Sequence, residues 1–275
     1  MSQSFRADLL RRTATAAVVL PALSYGIFRG PIWLWETLTG LCALIGLFEF
    51  GTLLEARGLK PFKVTGLLIG ALAFFEVNHP GCLWPVSLWP AAVLAILAAM
   101  LRRAGDLATT VPAAAGSLFG ALWLGALMGT IAALRHLPSP DQGAWRVILL
   151  LFIIMTGDTL AYLVGHAIGR HRLAPNLSPG KTVEGALGGL LGGVLGALIV
   201  RILGFAALSP GEVVGLGVVV AAVGIAGDLA ESLLKRWAGV KDSGTLIPGH
   251  GGVLDRSDSL LFGAPVLYYW FIFNR

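Results

Sequence analysis

Long apolar runs, separated by short polar breaks, limit what this chain can fold into more than any other feature of its sequence. A helix needs roughly 20 apolar residues to cross about 30 Å of hydrocarbon, and several runs reach that length. Only 13% of the 275 residues are charged, whereas soluble domains average about 25%. The hydrophobic share of 56% also excludes disorder, which requires low hydrophobicity. The sequence therefore predicts an all-α, polytopic membrane protein.

Nine candidate transmembrane helices follow from these runs. They lie near residues 14–30, 31–53, 64–77, 81–101, 111–134, 145–169, 185–205, 211–230 and 257–274. If the N-terminus is cytoplasmic, all but five of the 20 Lys and Arg residues fall on the cytoplasmic side, as the positive-inside rule favours. The first run follows a basic stretch, as secretory signals do, but no small-residue cleavage site is evident and a second run follows at once. We therefore expect an inner-membrane protein with its N-terminus inside and its C-terminus outside.

The chain divides into two regions of different character. Residues 1–144 contain few polar groups within their apolar runs, whereas residues 145–275 carry two long polar loops, 170–184 and 231–257, on the predicted cytoplasmic side. An active site that uses soluble metabolites would lie in the second region. The glycine-rich run at 185–196 is typical of close helix packing through small residues.

Carboxylates within the apolar runs need a reason to be there. Asp158 lies well inside its run, where a charged side chain costs about 2.5–3.5 kcal/mol on insertion scales. It either binds a cation or lines a polar pocket, or it is held by Thr156, Tyr162 or another helix; both interpretations stay open. For Glu36 and Glu49, which lie near the ends of runs, we expect a structural role or snorkelling.

Four polar residues share one face of the helix predicted at 211–230 and its continuation. Asp228, Glu231, Ser232 and Lys235 are spaced i, i+3, i+4 and i+7. This spacing directs acid, hydroxyl and ammonium groups to one small volume. An interfacial helix end with an ordinary charge pair is the alternative.

The loop that follows mixes glycines, acids and cations. Gly249, Gly251 and Gly252 surround His250, and such a loop can turn its N–H groups toward phosphate oxygens. The carboxylates of Asp242, Asp255 and Asp258 lie among the cations Lys235, Arg236, Lys241 and Arg256. Magnesium is often bound by one or two carboxylates together with substrate phosphates, so this mixture suits a polyphosphate carried with its metal. A solvated juxtamembrane loop, or a basic loop attracted to anionic lipid, would explain the cations alone.

The other polar loop ends with Ser178-Pro179-Gly180-Lys181-Thr182-Val183-Glu184-Gly185. Ser178 can cap a helix that has Pro179 in its first position, which would direct Lys181 and Thr182 at an anion. A plain helix cap explains the segment equally well. A Walker A loop is excluded, because that motif needs glycine where Pro175 stands and no strand is predicted before it.

These residues resemble a known signature. The spacing Ser232-x-x-Lys235-Arg236-x4-Lys241-Asp242, followed by Pro248-x-His250-Gly251-Gly252-x-x-Asp255-Arg256-x-Asp258, closely resembles that of phosphatidate cytidylyltransferases, also called CDP-diacylglycerol synthases. Asp158 with Ala161 and Tyr162, the 178–185 segment, and Gly227-Asp228 also look like features of that family. The resemblance covers the C-terminal half well, and the N-terminal half agrees only in its apolar runs.

The resemblance implies a reaction in which CTP and phosphatidate give CDP-diacylglycerol and pyrophosphate. It implies Asp228 and Asp255 as ligands of Mg2+, with room for a second cation. It implies phosphate contacts from Lys235, Arg236, Lys241 and Arg256, and CTP contacts from Ser178, Lys181, Thr182 and Glu184. Ser232 joins the substrate-binding set, and Asp242 and Asp258 would support the metal site. His250 would stabilise the leaving group or shape the loop, and a homodimer is expected.

Three other functions remain as alternatives. A related cytidylyltransferase could act on another lipid phosphate, because the shared chemistry lies in the phosphates. A cation-coupled transporter could use Asp158 and Asp228, but such carriers often show interrupted spans in both halves, and here the polar groups lie in one half. A transferase that consumes CDP-lipids would need an Asp-x-x-Asp-Gly motif, which is absent from the sequence. No nucleic-acid partner is expected.

Overall fold

The computed structural model describes residues 25–80, 82, 89–103, 105–137, 142–244, 246 and 251–274. Two compact units are present in the chain. The first contains the described residues before Ala133 together with Ala238–Arg256, and the second contains Ala133–Trp237 together with the described residues after Arg256.

Eight helices and one two-stranded hairpin make up the described chain. The helices are α1 (Ile32–Ala56), α2 (Lys63–Asn78), α3 (Trp89–Arg102), α4 (Leu107–Ala133), α5 (Gly143–Ile168), α6 (Val183–Leu203), α7 (Pro210–Ala238) and α8 (Leu254–Phe273). The strands are β1 (Arg172–Ala174) and β2 (Ser178–Thr182), between α5 and α6. Helix α4 contains a π-helical segment at Ala121–Ala126.

The expected all-α membrane protein is confirmed in its main feature. In the described part of the chain, five helices are long and apolar enough to cross a membrane: α1, α4, α5, α6 and α7. The predicted runs at 64–77 and 81–101 correspond to shorter helices of 16 and 14 residues. Most of the run at 14–30, and part of the run at 81–101, lie outside the described residues.

A buried carboxylate in the first unit receives the N-terminus of α8. Glu49, in α1, is 5% exposed. It accepts hydrogen bonds from the backbone N–H groups of Val253 (3.0 Å) and Leu254 (2.8 Å) and from the hydroxyl of Ser243 (3.3 Å). The first N–H groups of a helix have no partner within the helix, and its dipole favours a negative charge there. The structural role expected for Glu49 is confirmed.

Helices α5 and α6 of the second unit pack through small residues. Five glycines of α6 are buried, namely Gly188, Gly189, Gly192, Gly193 and Gly196. A Cβ atom on Gly192 would lie 2.5 Å from the backbone oxygen of Thr156, so only glycine permits this approach. The hydroxyl of Thr156 donates to the carbonyl of Gly192 at 2.7 Å. The packing role predicted for the glycine run is confirmed.

The segment before α6 was predicted as a helix start, and that prediction is wrong. Ser178 does not cap a helix with Pro179 in its first position; it pairs with Ala174 in the antiparallel hairpin. Helix α6 begins at Val183, and the hydroxyl of Thr182 caps it by accepting from the N–H of Gly185 at 3.0 Å. Pairing with β1 satisfies the backbone groups that a helical turn would otherwise have satisfied.

The second polar loop is shorter than the predicted range of 231–257. Helix α7 continues to Ala238, and α8 already begins at Leu254. Lys235 pairs with Glu231 one turn away at 3.2 Å, and such i, i+4 pairs favour the helical state. The polar residues therefore extend the helix and do not end it.

Substitution of Glu49 tests its role at the start of α8. Glu49→Ala removes the acceptor of two backbone N–H groups, and each buried group left without a partner costs about 1–3 kcal/mol. We expect a clearly lower midpoint of thermal unfolding for the detergent-purified protein. Glu55→Ala is the matched control in the same helix, because the carboxylate of Glu55 is 47% exposed and pairs with Lys63. Equal changes in both variants would contradict the capping role.

Candidate active site

A cavity of about 620 Å3 lies in the second unit, among α5, the hairpin, α6 and α7. Small-molecule sites usually enclose about 300–1,000 Å3, so the cavity is large enough for a nucleotide. The charged and aromatic side chains on its wall are Asp158, Tyr162, His166, Arg172, Lys181 and Asp228. The wall thus carries both signs of charge together with aromatic rings.

Lys181 and Asp228 form an ion pair on this wall. The ammonium of Lys181 lies 2.6 Å from a carboxylate oxygen of Asp228, and both side chains are partly exposed. Lys181 is near the end of β2, one residue before the cap of α6, and Asp228 belongs to α7. A phosphate bound by the lysine and a cation bound by the aspartate would therefore be neighbours, which is the arrangement that a metal-bound polyphosphate requires.

The polar face predicted on α7 is confirmed. The hydroxyl of Ser232 donates to Asp228 at 3.4 Å, and the ammonium of Lys235 lies 3.2 Å from Glu231. Glu231 is fully buried, a position that the sequence did not distinguish from its neighbours. Arg236 donates to the backbone carbonyl of Leu177 at 3.3 Å, so it joins the hairpin turn to α7.

Further carboxylates lie near Asp228 in the same unit. Asp158 interacts electrostatically with Asp228, Asp258 and Lys181. The hydroxyl of Thr156 donates to backbone carbonyls, so it does not hold Asp158. These observations favour the pocket-wall interpretation of Asp158. Several carboxylates around one ammonium make the region favourable for a cation.

Two of the predicted CTP-binding residues make contacts that shape the hairpin. The carboxylate of Glu184 accepts from the ring Nδ1 of His171 at 2.6 Å and from the backbone N–H groups of Arg170 (3.1 Å) and His171 (3.2 Å). Thr182 is buried and caps α6. Both residues therefore fix the backbone that carries Lys181.

The remaining predicted residues that the structure describes belong to the first unit. One carboxylate oxygen of Asp255 accepts from the N–H and the hydroxyl of Ser243 and from the N–H of Gly252, each at 2.9 Å. Carboxylates that bind metals are commonly oriented by such hydrogen bonds. Lys241, Asp242 and Arg256 are exposed. His250 lies outside the described residues.

The carboxylates of the site suit a magnesium ion that is bound together with a nucleotide. Within the described ranges, no three His, Cys, Asp or Glu side chains are grouped closely enough to hold a metal by themselves. Magnesium prefers oxygen donors, and it commonly takes one or two carboxylates with phosphates and water in its other positions. The carboxylates present fit a magnesium ion that arrives with the nucleotide, and they do not fit a metal held by protein alone.

The sequence assigns no substrate-binding role to three residues on the cavity wall: Arg172, Tyr162 and His166. The spacing of Tyr162 and His166 could have indicated a shared role with Asp158, because the three residues are four positions apart and so share one helix face. The sequence did not show that this face borders a cavity.

Comparison with known proteins matches residues 10–273 to the family described as "Cytidylyltransferase family". An uncharacterized protein, YnbB, of Escherichia coli K12 is 34% identical, over 89% of this chain and 81% of that protein. A phosphatidate cytidylyltransferase of Synechocystis is 31% identical over 94% of each chain. One from Haemophilus influenzae is 28% identical, over 96% of this chain and 99% of that protein. With a match that spans nearly its whole length, this chain belongs to the cytidylyltransferase family.

Proposed function

We propose that this protein is a phosphatidate cytidylyltransferase, which converts CTP and phosphatidate into CDP-diacylglycerol and pyrophosphate. Two relatives that align with almost the whole chain carry that name, and the motif from Ser232 to Asp258 supports the same assignment. The observation that carries the proposal is the ion pair of Lys181 and Asp228 on the wall of a nucleotide-sized cavity.

The chemistry requires two anions to meet. A phosphate oxygen of phosphatidate attacks the α-phosphorus of CTP, and the bond from that phosphorus to the oxygen that bridges to the β-phosphate breaks. Pyrophosphate leaves with the electron pair. The attacking group is already anionic, so the protein must chiefly offset repulsion and align the reactants.

The cations of the site supply this alignment. Lys181 binds the triphosphate beside Asp228, and Arg172, on the same wall, adds a second positive charge. Lys235, Arg236, Lys241 and Arg256 contact the phosphates of CTP and phosphatidate, as the motif implies. Ser178, Thr182, Glu184 and Ser232 complete the nucleotide site, and His250 stabilises the leaving group or shapes the loop.

Magnesium, with a second cation beside it, belongs to the proposal. Asp228 and Asp255 are its ligands by the motif, and Asp242 and Asp258 support them. When bound, the metal would neutralise phosphate charge and polarise a phosphoryl oxygen. The hydrogen bonds from Ser243 and Gly252 give the carboxylate of Asp255 a fixed orientation for this task.

The proposed membrane arrangement follows from charge. Nine spans with a cytoplasmic N-terminus place the two polar loops at the cytoplasmic face of the inner membrane, where CTP is available. Acyl chains remain in the bilayer while the phosphate reaches the site. The proposed oligomeric state of the protein is a homodimer.

Omission of single components tests the reaction. The detergent-purified protein, given CTP, magnesium and phosphatidate in mixed micelles, should release pyrophosphate only when all three are present. Release that occurs with a different lipid phosphate, and not with phosphatidate, would move the assignment to a related cytidylyltransferase. Absence of release with every lipid phosphate would contradict the enzyme assignment and favour the transporter.

Asp228→Asn tests the metal assignment. The substitution keeps the size of the side chain and removes its charge, so we expect turnover to fall by about two orders of magnitude or more, with no loss of folded protein in detergent. Glu212→Gln, at the other end of α7, is the matched control, because the carboxylate of Glu212 accepts from the backbone N–H of Ser209 and does not line the cavity, so turnover should be unchanged. Near-normal activity of Asp228→Asn would refute its role as a ligand.

Lys181→Ala tests the phosphate contact. Loss of a charge-assisted hydrogen bond of about 1.5–3 kcal/mol should raise the KM for CTP roughly tenfold or more. The KM for phosphatidate should change much less, as steady-state kinetics with each substrate varied will determine. Lys63→Ala, which removes a partly exposed lysine paired with Glu55, should leave both constants unchanged. An unaltered CTP dependence in Lys181→Ala would exclude Lys181 from the triphosphate site.

A further inference from the structure

Two aromatic rings form part of the cavity wall in the second unit. Tyr162 and His166 are one turn apart on α5, and both line the cavity together with Asp158. Their ring centroids are 6.0 Å apart, and their planes differ by 12°. The two rings therefore present nearly parallel faces.

Both rings are exposed, and Tyr162 is 70% exposed, so neither ring is packed inside the protein core. An i, i+4 aromatic pair also forms in helices that bind nothing. Here, however, the face that carries the pair borders a cavity that contains charged side chains of two other elements.

The polar groups are arranged along the same helix face. Asp158 interacts with Lys181 and Asp228, and a rise of 1.5 Å per residue puts Tyr162 about 6 Å and His166 about 12 Å farther along α5. A nucleoside triphosphate has a charged end and a flat aromatic end, separated by a ribose. Lys181 and the two rings line the same cavity, so a nucleotide with its phosphates at Lys181 would have the rings available to its base.

We propose that Tyr162 and His166 form a stacking platform for the base of the nucleotide substrate. This inference rests on the proposed function, because it takes the triphosphate to be bound at Lys181. Aromatic faces stack on any base, so the platform supplies affinity and orientation to the base. Tyr162 and His166 are then substrate-binding residues, additional to those of the sequence motif.

Binding of two ligands that differ only in the base tests the platform. Equilibrium binding of CTP and of ribose 5′-triphosphate, which lacks the base, is measured in detergent with magnesium and without lipid. Tyr162→Ala should weaken CTP binding on the order of tenfold and change ribose 5′-triphosphate binding by less than about twofold. Tyr162→Phe, which keeps the ring, should retain the wild-type affinity for CTP.

Matched variants control for folding. Leu163→Ala removes a neighbouring exposed side chain that does not line the cavity and should alter neither affinity. If Tyr162→Ala fails to elute as folded protein in gel filtration, His166→Ala and His166→Phe provide the same comparison at the second ring, with the ring-keeping variant expected to bind CTP more tightly.

The outcomes separate this inference from the function on which it rests. A wild-type protein that binds neither ligand overturns the proposed function, and the platform with it. A wild-type protein that binds both ligands equally overturns the platform alone. Equal weakening of both ligands in Tyr162→Ala, or an unchanged CTP affinity, also overturns the platform and leaves the proposed function intact.

Discussion

Ionised carboxylates in an apolar helical protein must be matched by donors or cations, and the arrangement of this chain depends on how that requirement is met. Glu49 accepts a hydrogen bond from the N-terminus of α8, and Glu184 accepts one from the N–H of Arg170 before the hairpin. Asp228 forms an ion pair with the ammonium of Lys181. The pairings of Glu49 and Glu184 fix backbone segments, and that of Asp228 orients a side chain. The same electrostatic need therefore builds the scaffold and orients the groups proposed for catalysis.

Such an arrangement favours a reaction between two anionic phosphates. Preformed cations cost little reorganisation when charge develops during the reaction. In the second unit, Arg172 and Lys181 share a cavity wall with Asp158 and Asp228, so positive charge for phosphates and negative charge for a cation are both in place. The hairpin is held by contacts of Glu184 and Arg236, which keep Lys181 in a defined position before substrate arrives.

The sequence predicted what depends on local order along the chain. Hydropathy located the long helices, the 3.6-residue period gave the face of Asp228 and Ser232, and the small residues of α6 indicated close packing. The sequence did not predict local structure or contacts that depend on a segment distant along the chain. Pairing with β1 turned the expected helix start at Ser178 into a strand, and Glu49 meets partners 204 and 205 residues away. Tyr162 and His166 were visible as a helix face, but only the fold shows the cavity beside them.

The direct passage from β2 to α6 has a mechanical consequence. Strand β2 ends at Thr182 and α6 begins at Val183, so no loop separates the lysine from the helix. The helix has 21 residues, and at 1.5 Å per residue its length is about 31 Å, close to the hydrocarbon thickness of a bilayer. A shift of α6 along its own axis would therefore move the backbone of Lys181 by a similar distance, because only Thr182 separates that residue from the helix.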